Sequence, residues 1–89
     1  MKFTLTRERP LVGLDIGTSS IKAVELRAKK KSKQKAFEVV RIGHEPLPRD
    51  AIVEGTIIDA AAVAEAIRRV LDKAKIVGRE MVIAVSGNS

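Results

Sequence analysis

Only one stretch of the chain, residues 60–76, carries a helical repeat, and short apolar runs of strand character lie on both sides of it. Asp59 stands just before this stretch. It is a favoured N-cap, because its carboxylate accepts an orphan backbone N–H. Val63, Ile67, Val70, Leu71 and Ala74 recur at helical spacing and mark one buried stripe. Lys73 and Lys75 fall in the last turn, where they oppose the negative end of the dipole, and Gly78 supplies a stop. Ahead of the helix, residues 11–16 form a short apolar run closed by Gly17, Thr18, Ser19 and Ser20. That pattern predicts a buried central strand ending in a tight turn.

Residues 21–26 alternate imperfectly, as a second strand would, and residues 36–42 restore strand character. A lysine-rich connection joins these two into a long antiparallel hairpin. Pro46 and Pro48 end the third strand, since proline cannot donate to a ladder. His44 reads as a surface residue at that strand end, with no partner ligand in view. Residues 49–58, with Gly55 in the middle, read as a connection, and residues 81–85 as a further buried strand. The order is β-β-β-α-β, an α/β fold with a mixed sheet. A right-handed crossover would lay the last strand parallel beside the first. Such a sheet needs cover on both faces, and one helix covers only one, so the chain reads as part of a larger unit.

Composition narrows the chemistry. The 89 residues include two Phe, no Trp and no Tyr, so aliphatic side chains must build the core. That core is thin, because a domain this small buries only about 60–65 % of its unfolded surface. With no cysteine, a disulfide framework, a cysteine zinc site and thiol catalysis are excluded. A single histidine excludes a histidine metal cluster or a Ser-His triad within these residues. No apolar run approaches the roughly 18–20 residues that span a bilayer. The start lacks the apolar region of a secretory signal, so the expectation is a soluble or membrane-peripheral protein.

The net charge of +6 is lopsided. Arg27, Lys29, Lys30, Lys31, Lys33 and Lys35 supply six positive charges with no acid among them. Such a run is most simply a solvated loop, with an anionic membrane surface or another acidic partner as the functional reading. Nucleic acid is disfavoured, because no aromatic sits inside the run to stack on bases.

The segment from Asp15 to Lys22, reading Asp-Ile-Gly-Thr-Ser-Ser-Ile-Lys, has the make-up of a phosphate turn. Phosphate oxygens need donors converging on a concavity. A glycine lets the backbone come close, and Thr18, Ser19 and Ser20 add three hydroxyls in a row. Lys22 adds a cation. Asp15 would repel phosphate unless a Mg²⁺ ion intervened, as it can through water. The same residue types also make ordinary hairpin turns. No Walker-type loop and no dinucleotide fingerprint occurs.

The segment from Val12 to Ala23 resembles the first phosphate loop of the actin, Hsp70 and sugar-kinase superfamily. The block from Glu45 to Asp59, the Ala-rich helix and the segment from Met81 to Gly87 together resemble PilM, the actin-like, FtsA-related family of type IV pilus assembly. The resemblance begins at about Leu11, after a polar N-terminal segment, residues 1–10. Residues 11–89 would then form an incomplete actin-like subdomain 1A of ribonuclease H-like topology, with residues 81–89 entering the inserted subdomain. It implies ATP and Mg²⁺ as cofactors, with Gly17, Thr18, Ser19, Ser20 and Lys22 on the nucleotide phosphates and Asp15 facing the metal through water. It implies a cytoplasmic scaffold, peripheral at the inner membrane, that docks the cytoplasmic N-terminal tail of PilN. Hydrolysis would be weak or absent, no residue is assigned as catalytic, and these residues alone would not be active. The alternatives are the N-terminal part of a sugar kinase and an FtsA-type cell-division scaffold.

Overall fold

The computed structural model describes residues 10–31 and 34–86. Its elements are β1 (Leu11–Ile16), β2 (Ser20–Lys31), β3 (Gln34–Pro46), β4 (Ile52–Val53), β5 (Thr56–Ile57), α1 (Ala60–Ala74) and β6 (Glu80–Val85). Four strands form one mixed sheet in the order β3-β2-β1-β6. β1 pairs antiparallel with β2, β2 antiparallel with β3, and β1 parallel with β6. This is the expected α/β arrangement, consistent with part of an actin-like subdomain. The polar start, apart from Pro10, lies outside the described residues, as do residues 87–89.

Pleating decides what the helix covers. Val12, Leu14 and Ile16 of β1 and Ile21 and Ala23 of β2 point to one face and are buried. Val63, Ala66 and Val70 of α1 are buried against them, with Ile67, Leu71 and Ala74 packed at the margin. Fully burying one such Val, Leu or Ile side chain contributes about 1.5–3 kcal/mol. The contact is close at Gly43 of β3. A Cβ built there would lie 2.8 Å from Val70 Cγ2 and 3.1 Å from Ala74 Cβ. The opposite face has no helix among the described residues. Val82 of β6 and Ile42 of β3 stand exposed on it.

Several boundaries differ from the sequence-based expectation, each for a physical reason. The helix begins as expected, with the Ala62 N–H donating to Asp59 Oδ1 at 3.1 Å. It ends at Ala74, short of Ile76, because Lys75 turns left-handed with φ 61°. Gly78 is therefore not the stop. Its small size serves a different contact: an added Cβ would meet Val12 Cγ2 at 2.9 Å, and its N–H donates to the buried Glu25 Oε2 at 3.1 Å.

The connection expected over residues 49–58 contains the small hairpin β4–β5. Glu54 and Gly55 both take positive φ, 51° and 76°, which suits a two-residue turn to the twist of its strands. β3 runs through His44 to Pro46, since an edge strand tolerates proline at its end. Most of the basic run is not a loop but ladder, with Arg27 opposite Glu38 and Lys30 opposite Lys35.

Gly43→Ala should destabilise the protein by about 1–3 kcal/mol, because the added methyl overpacks against Val70. Asp59→Ala should cost about 1 kcal/mol through the lost cap. Denaturant titration of each variant checks both. A neutral Gly43→Ala would show that α1 does not rest on β3 as described.

Candidate functional site

The site is built where β1 and β6, which run parallel, end side by side. Ligands of open α/β sheets bind outside the carboxyl ends of such strands. Gly17, Thr18 and Ser19 join β1 to β2, and the Gly17 N–H donates to the Ser20 carbonyl at 2.9 Å. The turn is fixed from both sides. The Ser86 N–H donates to the Ile16 carbonyl at 2.9 Å, and the Leu47 N–H donates to the Ser19 carbonyl at 2.9 Å. Backbone acceptors of the turn are thus spent inside the molecule. Gly17 is buried, Thr18 and Ser20 are half-buried, and Ser19 is exposed.

Asp15 and Lys22 lie seven positions apart in sequence, and the hairpin places them directly opposite each other. Both are exposed on the helix-free face, one step back from the turn. Lys22 therefore stands beside Asp15 rather than in the turn with the hydroxyls. His44 continues the same row, opposite Lys22 on β3, and Ala84 closes it on β6. His44 was expected to stand alone, and its place beside Lys22 depends on an irregularity in the β2–β3 ladder between Glu25 and Leu26. Behind the row, Gly13, Val24, Ile42 and Val82 border an apolar depression of about 360 Å³.

On the helix side, Glu45 stands opposite Ile21, next to the turn. It is buried, and it accepts hydrogen bonds from Arg69 Nε at 2.8 Å and Lys73 Nζ at 3.3 Å. The Arg69 hydrogen bond, aided by Lys73, holds the Glu45 carboxyl below its ordinary value of 4.5 despite the opposing effect of burial. This pair of cations ties α1 to the strand end that carries the turn. The sequence pattern alone did not single out Glu45, because its partners come from 24 and 28 positions away.

Among the described residues, no three Asp, Glu or His side chains converge on a metal-sized site, and no helix is long and apolar enough to cross a membrane. Asp15 is thus the carboxylate that the row offers to a cation. The model of the family described as type IV pilus assembly protein PilM matches residues 13–89, all but the first twelve. The chain belongs to the PilM family. The match spans the β1–β2 turn, α1 and β6 alike, and a role in type IV pilus assembly follows from it. Neither the sugar-kinase nor the FtsA-type alternative gains support from it.

Glu45 also makes a testable pH dependence. A carboxyl held below its ordinary value stabilises the fold above that value and loses this stabilisation as the pH falls through its lowered one. Glu45→Gln should therefore melt below wild type at neutral pH. The gap should begin to close as the pH falls below that ordinary value of 4.5 and vanish below the lowered one. A gap in melting temperature that stays constant to the acid end of the profile would show that the Glu45 charge is not what Arg69 and Lys73 hold.

Proposed function

We propose that the β1–β2 turn binds the phosphates of ATP and that the protein acts as a nucleotide-dependent scaffold in pilus assembly, docking the cytoplasmic tail of PilN at the inner membrane. The observation that carries this reading is the pairing of Asp15 with Lys22 across the ladder, immediately behind three consecutive hydroxyl residues. A lysine beside a turn of small residues suits phosphate, and a carboxylate in the same row suits its counter-ion. Mg²⁺ commonly keeps several waters and takes only one or two carboxylates alongside the phosphates. A lone Asp15 fits that habit, whereas a structural metal would need more ligands from the protein. When bound, the ion would neutralise phosphate charge.

The chain's own residues supply the rest. Gly17 lets the backbone approach without a side chain between it and the ligand. Thr18, Ser19 and Ser20 offer hydroxyls, and Lys22 offers a point charge to a terminal phosphate. The PilN tail and the inner-membrane location come to this chain from its family resemblance.

In the full-length protein, Asp15→Ala and Gly17→Val should each lower ATP affinity by about tenfold or more, equivalent to ~1.4 kcal/mol. Circular dichroism should show both variants folded. Capture of PilN should weaken in step, and a deletion strain complemented with either variant should lack surface pili at normal protein levels. Normal piliation by variants whose ATP binding is demonstrably lost would sink the nucleotide-dependent scaffold.

A further inference from the structure

Beyond Leu26, β2 has no β1 residue beside it, and among the described residues the β2–β3 ladder continues as a two-stranded arm. Arg27, Ala28, Ala36, Phe37, Glu38 and Val39 are all exposed. Five further residue pairs at about 3.3 Å per residue carry the arm roughly 16 Å past the sheet. The molecule is correspondingly long, 51 Å against 22 and 17 Å.

The arm holds most of the charge imbalance of the protein. Its two strands, residues 27–31 and 34–38, contain five basic residues and one acid, Glu38, for a net +4 out of the +6 of the whole chain. The ladder also sets Lys30 directly opposite Lys35. An isolated two-stranded hairpin is marginal in water, and a surface that takes up the arm would steady it. Apolar side chains accompany the charge: Phe37 is 62 % exposed and Val39 53 %. Charge with a bare phenylalanine suits the headgroup region, where cations meet lipid phosphates and the ring enters the acyl boundary.

We propose that this arm binds anionic lipid. A two-stranded ribbon also fits a duplex groove. However, the basic residues are mostly lysine, which lacks the bidentate fork used to read bases. The proposal is independent of the nucleotide reading, because its test is run without ATP.

The test is co-sedimentation of the full chain with vesicles of phosphatidylglycerol and phosphatidylcholine, against phosphatidylcholine alone and against duplex DNA. Binding to the anionic vesicles alone is expected. It should weaken steeply between about 0.1 and 1 M salt, as the Debye length falls from about 10 to 3 Å. Replacing Lys29, Lys30, Lys31 and Lys35 together by Gln should weaken it about a hundredfold or more. Phe37→Ser should weaken it roughly three- to tenfold, and this loss should persist at high salt. Both variants should keep the wild-type melting temperature, since the arm lies outside the core. Equal binding by the lysine variant, equal binding to neutral vesicles, or DNA binding at salt that releases the vesicles would each overturn the proposal.

Discussion

The crossover in this fold depends on one close contact, the approach of Val70 and Ala74 to the bare Cα of Gly43. With α1 lying that near β3, its apolar stripe reaches the buried face of β1 and β2. The chain leaving α1 then returns along the sheet, past Ile76 and Gly78, and enters β6 beside β1. Only a parallel β6 brings its carboxyl end level with that of β1, where Ser86 bonds Ile16. The close packing at Gly43, on the edge strand β3, thus belongs to the same path that brings β6 beside the β1–β2 turn.

Two buried carboxylates pin this path at its two ends. Glu45 holds α1 through Arg69 and Lys73 beside the turn. Glu25, 1 % exposed, takes the Gly78 N–H on one oxygen and faces Arg41 at 3.5 Å from the other. Desolvation offsets much of the attraction in such pairs, so their effect is on placement more than on net stability. In a core built of aliphatic side chains, whose burial is favourable but non-directional, placement is what such polar pairs supply.

The strand-and-helix order, the Asp59 cap and the parallel β6 were readable from local pattern, because each follows from periodicity or from one residue's chemistry. The turn hydroxyls were readable for the same reason. The place of His44 was not. Counting pairs inward from the tip, Lys30 with Lys35 and Arg27 with Glu38, would set Lys22 against Gly43. The extra residue Val40 shifts the register, and Lys22 meets His44 instead. A bulge leaves no periodic trace in a strand already mixed in polarity, so cross-strand neighbours beyond it escape a linear reading. The Lys75 cap escaped for a similar reason: glycine is the usual left-handed residue, and Gly78 drew the assignment to itself.

The same bulge has a consequence for how the hairpin can change length. It absorbs the mismatch between the part of β2–β3 that belongs to the sheet and the part that does not. Past Leu26, no neighbouring strand among the described residues limits the ladder. Two residues added to each strand would carry the tip about 7 Å further and leave every existing side chain on its own side. One residue added to each would carry it half as far and turn the tip over. Reach is thus a stepped variable, adjustable without disturbing the turn, the helix or the strand ends, and the hairpin is in effect a ruler whose length can drift while the rest of the fold stays still.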